Sequence, residues 1–319
     1  MSYREADLTR LKTIPVAGRS NKVDPSLLAS VPGKNRGFSD FLSSLPDVLA
    51  ARDLRAVIDG IASASRNRRG VVLLVGGHVI KVGLGPLIRV WIEQGIVTHL
   101  ALNGAAAIHD FELAAYGGTS EDVESGLADG TFGMAEETGR DMNGAIAAAA
   151  RANQGMGEGL AAALASRASL PGGEASILVA AAHHGVPVTV HAAIGAEIIH
   201  QHPSADGAAL GATSHRDFRR LAGSLPSLDN GGAVLNWGSA VVLPEVFLKA
   251  LAVARNLESG RPVRFLAADF DMQRHYRPAM NVVRRPTLGG GAGYMITGHH
   301  EILIPLLVWG VVEQLRAGS

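Results

Sequence analysis

Residues 98–112 read THLALNGAAAIHDFE. The first part, THLAL, is a short apolar run of the kind a buried strand needs. It stops at Asn103-Gly104, where small residues let another backbone or a ligand approach closely. His109, Asp110 and Glu112 then fall within four positions, on what reads as a helix running to Tyr116. Histidine and carboxylates move protons or hold a cofactor. On a helix, His109 and Glu112 share a face and Asp110 points elsewhere. A strand opening into a small-residue loop and then a helix is where open α/β sheets place their ligands.

The same strand–loop–helix order repeats outward from this stretch. Upstream, VVLLV (71–75) is strand-like, GGHVIKVGLG (76–85) is a Gly-rich loop, and 86–94 is a helix with Pro86 in its first turn. Phe41, Leu42, Leu45, Leu49, Leu54, Val57, Ile58 and Ile61 recur at three- and four-residue steps and predict helix over 39–66. Downstream, VPVTV (186–190), AVLNW (233–237) and VRFLA (263–267) are strands. Helices are expected at 134–153, 174–184, 215–223, 244–258 and about 299–316. Residues 117–133, 154–173 and 268–298 read as connections, the second with a short helical turn. Such alternation predicts a doubly wound α/β fold, a mostly parallel sheet with helices on both faces, of Rossmann type. Residues 1–40 contain Pro15, Pro25 and Pro32, lack sustained periodicity, and read as an N-terminal arm before a single α/β domain at 41–319.

Composition narrows the chemistry. Apolar residues make up 47% of the 319 and aromatic residues only 5%, so the core is aliphatic and alanine-rich. The 29 basic and 29 acidic residues balance, which argues against a nucleic-acid partner and against an acidic tail. The absence of cysteine excludes disulfides, zinc–thiolate sites, iron–sulfur clusters and cysteine nucleophiles. The N-terminal residues lack the apolar core of a secretory signal. The longest apolar run, 302–312, is too short to span a bilayer and contains Pro305 and Gly310. A cytoplasmic protein with no membrane partner is expected.

Several other stretches carry candidate chemistry. Gly76-Gly77-His78, between a strand and a helix, is either a dinucleotide cradle or a tight turn, and it is not GxGxxG. Asn236-Trp237-Gly238-Ser239-Ala240 ends a strand in small residues, with Glu245 in the first turn of the next helix. Asp269-Phe270-Asp271 opens into Arg274, His275, Tyr276 and Arg277, the makings of an acid–base or amine-binding pocket. The Gly-rich run 289–293 is a phosphate loop or a flap. His183-His184, His200 with His202, and His299-His300 form pairs without HExxH or a clear third ligand, so they read as surface histidines and no metal is expected.

Taken in order, these pieces resemble the deoxyhypusine synthase family over about residues 71–312. The resemblance lies in GLGPLIRVWIEQGIVTHLALNGAAAIHD, HHGVPVTV, WGSAVV, ADFD followed by Pro278 and Val282, and HHEILIPLLVWGVV. It implies a Rossmann-like homotetramer with active sites shared between subunits. It also implies an NAD-dependent oxidation of spermidine and transfer of its aminobutyl group through an imine on a lysine. The NAD positions it implies are Gly76, Gly77, His78, Asn103, Gly104, Ala105, His109, Asp110, Gly238 and Ser239.

The family's chemistry does not carry over. The imine-forming lysine belongs in NVVRRPT (281–287), where the nearest positions hold Arg285 or Pro286, and no lysine follows Lys249. Arginine stays protonated and cannot form the Schiff base that a desolvated lysine can. The family's histidine after its glycine run is matched most nearly by Glu245, its tryptophan near the lysine by Arg284, and of its central-loop acids only Glu197 remains, in AAIGAEII. The expectation is an NAD-dependent transferase or oxidoreductase acting on a small amine or amino-acid-like substrate, not deoxyhypusine synthesis. Glu245, Asp271 or His275 would serve as acid or base, and Arg285 with Arg284 would hold a carboxylate or phosphate. The alternative is a non-catalytic protein binding a nucleotide or small molecule on the same scaffold. The resemblance and the Ala-rich helices both favour a homotetramer or homodimer.

Overall fold

The computed structural model describes residues 3–20, 22–31 and 37–317; Pro32 lies outside them. The strands are β1 (Val71–Val75), β2 (His99–Asn103), β3 (Val188–His191), β4 (Ala233–Trp237), β5 (Leu266–Asp271) and β6 (Ala292–Thr297). They form one parallel sheet in the order β3-β2-β1-β4-β5-β6. Leu74 sits in register with Ala101 on one side and Asn236 on the other, and Asn236 with Asp269. The chain starts in the middle, winds out to β3, and returns to β4, so the winding direction reverses between β1 and β4. In such sheets, that reversal opens a crevice at the carboxyl ends of the strands.

Both faces of the sheet are covered, which is why VVLLV is a continuous apolar run and not an alternating one. On one face, Leu73, Val75, Leu100, Leu102, Leu235 and Phe270 join a core shared with the helices Leu49–Arg66, Gly104–Tyr116, Ile177–His184 and His300–Ala317. On the other, Val72, Leu74, Ala101, Val234 and Ala267 pack under the helices Gly207–Ser224 and Val242–Leu257. The doubly wound, Rossmann-type α/β architecture expected from the sequence is the one observed.

Several segments differ from the reading. The loop 76–85 contains a short helix, Gly77–Lys81, and the connections 117–133 and 154–173 contain helices Val123–Asp129 and Met156–Ala165. Helix 215–223 starts earlier, at Gly207, where Asp206 caps it by accepting from the amides of Ala208 and Ala209. The largest correction concerns 268–298, which completes β5, winds a π-helix at Pro278–Arg284, and then supplies β6. β6 opens Ala-Gly, so local propensity is weak there. A Cβ on Gly293 would lie 2.7 Å from Val283 Cγ1 and 3.1 Å from Val283 O, so the glycine lets the strand pass under the π-helix.

The first α-helix, Phe38–Ser44, begins inside the segment read as an arm. Residues 3–20 and 22–31 lie largely exposed, with 3-10 turns at Leu8–Arg10, Val16–Gly18 and Pro25–Leu27. Among the described residues, no helix is long and apolar enough to cross a membrane, and no group of three or more His, Asp or Glu is placed to hold a metal ion.

Candidate functional site at the carboxyl edge of the sheet

At the reversal point the loops after β1, β2 and β4 touch. The Gly76 amide donates to the Trp237 carbonyl at 2.8 Å, and a Cβ on Gly76 would stand 2.1 Å from the Gly238 oxygen. Gly238 has φ +66°, a left-handed conformation that suits glycine, and His300 and Val79 lean over it. A Cβ on Gly77 would meet Ala105 Cβ at 2.8 Å and His109 Cδ2 at 3.3 Å. Asn103 caps the Gly104–Tyr116 helix by accepting from the Ala106 amide at 2.9 Å. Ser239 Oγ accepts from the Leu243 amide at 3.2 Å, and the rings of His78 and His300 lie 5.5 Å apart. These residues gather at one crossing.

Asp110 does not join them. It is buried and accepts from Ser176 Oγ (2.6 Å), the Ile177 amide (2.9 Å) and the Leu178 amide (3.0 Å). Its carboxylate therefore ties the Gly104–Tyr116 helix to the N-terminus of the Ile177–His184 helix, a structural cap rather than a ligand contact. Burial pushes its pKa up to about 6 against the pull of those hydrogen bonds.

On one side of the crossing, β4 and β5 end in buried polar groups. Asn236 Nδ2 donates to Asp269 Oδ1 (2.7 Å) and to the Ser239 carbonyl (3.0 Å). Asp269 is 2% exposed. Burial pushes it up to about 7; the Asn236 hydrogen bond opposes this and the Asp271 charge adds to it. Asp271 is buried at the strand end. His300 Nε2 lies 3.0 Å from the Phe270 carbonyl, so that nitrogen carries the proton, and burial lowers the imidazole's pKa.

Glu245 and Arg285 are joined through Asn281, a buried π-helix residue absent from the sequence reading. Asn281 Nδ2 donates to Glu245 Oε1 at 2.8 Å, and Arg285 Nη1 donates to Asn281 Oδ1 at 2.7 Å. Arg285 Nη2 also reaches the Tyr276 hydroxyl at 3.2 Å, and Glu245 pairs with Lys249 and with Arg277 at 3.2 Å. His275 is half-buried in the turn entering the π-helix, where its carbonyl accepts from the Ala279 amide at 3.2 Å. π-helical turns are frequent at functional sites.

On the other side of the crossing lies a cavity of about 690 Å³, walled in part by Lys81, Ala105, His109, Glu112, Glu121 and Glu197. Thr119 gives its single hydroxyl proton to Glu112 Oε2 (2.5 Å), so it accepts from His109 Nδ1 (2.8 Å). Thr138 supports the other Glu112 oxygen at 2.8 Å. His109 is thus held with Nε2 unprotonated; burial lowers its pKa, with Glu112 opposing and Lys81 adding. Glu197 packs against Gly104 and accepts from the Ala193 amide at 2.8 Å, and burial pushes it up to about 7 despite that bond. Thr119, Thr138 and Asn281 were missed: Thr138 and Asn281 act on Glu112 and Glu245, 26 and 36 positions away, and no spacing pattern marks Thr119.

The crossing lies where open sheets of the order 3-2-1-4-5-6 place a dinucleotide, at the reversal of winding, and its glycines let the loops pack against one another where a Cβ would strike protein atoms.

No family model and no curated protein matches the sequence. Among solved structures, the chain is similar to AgrE in its ternary complex with ornithine and NAD+, at 13% identity and a TM-score of 0.51, over 85% of this chain and 34% of that one. It is similar to ArgZ, an arginine dihydrolase from cyanobacteria, at 13% identity and 0.50, over 83% and 33%. It also aligns with a candidate deoxyhypusine synthase from Entamoeba histolytica, at 10% identity and 0.49, over 88% and 94%. The chain spans about a third of the length of AgrE and ArgZ. At these identities the likeness is one of fold.

Proposed function

We propose that the protein is an NAD-dependent enzyme acting on a small amine or amino-acid-like substrate, by chemistry other than deoxyhypusine synthesis. The observation that carries this reading is the crossing of the β1, β2 and β4 ends, with a cavity on one side and buried carboxylates on the other. That layout suits a ligand of two halves joined by a pyrophosphate. Gly76, Gly77 and His78 with Asn103, Gly104 and Ala105 would hold the phosphates, and His109 would line the adenosine side. Gly238, Ser239 and His300 would flank the nicotinamide half. The fold likeness to AgrE, solved with ornithine and NAD+, supports the pairing of cofactor and substrate class.

Bound NAD would supply the hydride acceptor. Asp269 Oδ1 is engaged by Asn236, which leaves Oδ2 to take a proton from the substrate nitrogen. A base with a pKa near 7 is matched to neutral operation. Asp271, one residue beyond the next, adds negative charge that attracts an ammonium group. Arg277, Arg284 and Arg285 on the same edge suit the carboxylate of an amino-acid-like substrate. Burial of Asp269 and His300 keeps their part of the edge dry.

Assembly as a homotetramer or homodimer in the cytoplasm belongs to the same proposal. The closing helix His300–Ala317 carries apolar residues all around, and Ile302 and Trp309 remain more than half exposed. A helix of that kind is normally covered.

Calorimetric titration with NAD and NADH tests the cofactor, and NADH absorbance across a panel of amines and amino acids tests turnover. Micromolar NAD binding that is lost in Gly77→Val, with turnover reduced roughly a hundredfold in Asp269→Asn, is expected. No binding at millimolar NAD refutes the reading. Binding without turnover on any substrate favours the second reading, a non-catalytic binding protein, which the tied-up Arg285 at the lysine position supports.

A further inference from the structure

The wall of the cavity beside the crossing holds four glutamates, Glu112, Glu121, Glu137 and Glu197, against one lysine, Lys81, and no arginine. His109 stands between this cavity and the loop after β1. Its ring lines the cavity, and its Cδ2 corner would lie 3.3 Å from a Cβ on Gly77. Nε2, bonded to that corner, has no hydrogen-bond partner among the described residues. Unlike the unpartnered ring nitrogens of His99 and His300, it is not sealed inside the protein.

The ring proton is fixed from behind. Glu112 accepts on both oxygens, from Thr119 and from Thr138, so the Thr119 hydroxyl has spent its proton and accepts from His109 Nδ1. Burial lowers the His109 pKa below the ordinary 6.5, with Glu112 opposing and Lys81 adding, so the ring is neutral above neutral pH and Nε2 is a bare acceptor. In open sheets of this order, a carboxylate near the end of the second strand accepts from a ribose hydroxyl of the dinucleotide. Here β2 ends in Asn103, whose side-chain oxygen is taken by the Ala106 amide. His109, in the helix that Asn103 caps, offers an acceptor instead. It lies between the glycine loop and the cavity, where a ribose must sit if its phosphates lie at Gly77 and its adenine in the cavity.

We propose that His109 Nε2 accepts a hydrogen bond from the 2′-hydroxyl of the adenosine ribose, and that this acceptor, backed by the glutamates of the wall, selects NAD over NADP. The selection presupposes the cofactor reading above and adds to it which dinucleotide is taken. A 2′-phosphate carries a charge of about −1.5 to −2 near neutral pH, has little proton to give to Nε2, and enters a wall of carboxylates. Lys81 is exposed, and its ammonium is a hydrated point charge without the bidentate fork of arginine. Thr119 and Glu112 are positioning residues, acting on the ribose through the tautomer of His109.

The probes are NAD and NADP, titrated by calorimetry into the full chain, together with the imidazole ¹⁵N shifts of His109, assigned by their loss in His109→Leu. NAD is expected to bind at least about a hundredfold more tightly than NADP, and the ¹⁵N shifts should place the proton on Nδ1. His109→Leu should weaken NAD about tenfold, the worth of one hydrogen bond, and leave NADP unchanged, so the preference shrinks by the same factor. Thr119→Val should mix the two tautomers in the ¹⁵N spectrum and lower the preference as well, a spectral change that a merely structural threonine would not produce. If His109→Leu fails to fold, Thr119→Val and the wild type decide. NAD binding with NADP within about threefold of it, a proton found on Nε2 in the wild type, or a preference unchanged in both variants would overturn the selection and leave the cofactor reading standing. No binding of NAD at millimolar concentration would refute the cofactor reading, and the selection with it.

Discussion

Replacing Asp269 with Asn tests whether the carboxyl edge of the sheet holds a poised acid. Burial, with the Asp271 charge adding and the Asn236 hydrogen bond opposing, pushes this carboxyl from 3.8 up to about 7 in the folded chain. A raised acid pKa means that the folded state binds the proton more tightly than the unfolded state. The group's stabilising contribution is therefore fully present below pH 3.8 and is lost as the pH rises toward 7. Between about pH 5 and about pH 7.5 the loss integrates to about 2.5 kcal/mol. Asn cannot exchange this proton, yet it keeps an oxygen to accept from Asn236. Urea unfolding can be followed by tryptophan fluorescence, because Trp91 and Trp237 are fully buried with ring centroids 5.4 Å apart. The stability of the wild type relative to Asp269→Asn should fall by about 2.5 kcal/mol across that pH window, and kcat/KM of the wild type should rise through neutrality to a plateau above about pH 8. A stability difference constant to within about 0.5 kcal/mol over the window would refute the reasoning, because Asp269 would then titrate outside it.

Three further outcomes are expected. Asp110→Ala leaves the Ser176 hydroxyl and the Ile177 and Leu178 amides without their acceptor, and should cost about 3–5 kcal/mol in urea unfolding at neutral pH; a cost under about 1 kcal/mol would mean that water replaces the cap. Gly76→Ala puts a methyl group 2.1 Å from the Gly238 carbonyl, where backbone must move, so it should cost about 1–3 kcal/mol and weaken NAD binding more than tenfold by calorimetry. Trp309→Glu places a charge on the exposed apolar face of the closing helix and should shift the light-scattering mass of a tetramer or dimer toward that of one chain; an unchanged mass places the subunit interface elsewhere.

The sequence showed the strands of the central sheet because each is a continuous apolar run ending in small residues. VVLLV, THLAL and AVLNW need no partner to be recognised. β6 was hidden because its stability comes from pairing with β5 across Ala267 and Gly293 and from the close pass under Val283, neither of which is a local property. The helix Met156–Ala165, in a Gly-rich segment, was read only as a short helical turn for a related reason. A Cβ on Gly157 would lie 2.3 Å from the Val188 carbonyl, so the residue that lowers helix propensity is also the one that permits helix–strand packing.

The candidate site divides along the same line. The small residues closing β1, β2 and β4 were legible one loop at a time, but only the strand order shows that Gly76 and Gly238 meet. Asp110 and Asp269 make the point from the acidic side. Both are carboxylates within or just beyond a strand–loop–helix unit; the family resemblance implied an NAD contact for Asp110, and Asp269 was read with Asp271 as part of an acid–base pocket. In the fold, Asp110 accepts from three donors and is consumed as a cap, whereas Asp269 accepts from Asn236 on Oδ1 and, among the described residues, from no side chain on Oδ2. What separates a structural acid from a reactive one here is the number of donors the tertiary structure aims at it. Those donors come from residues 66 to 68 positions away for Asp110 and from 33 away for Asp269, beyond the reach of any local pattern.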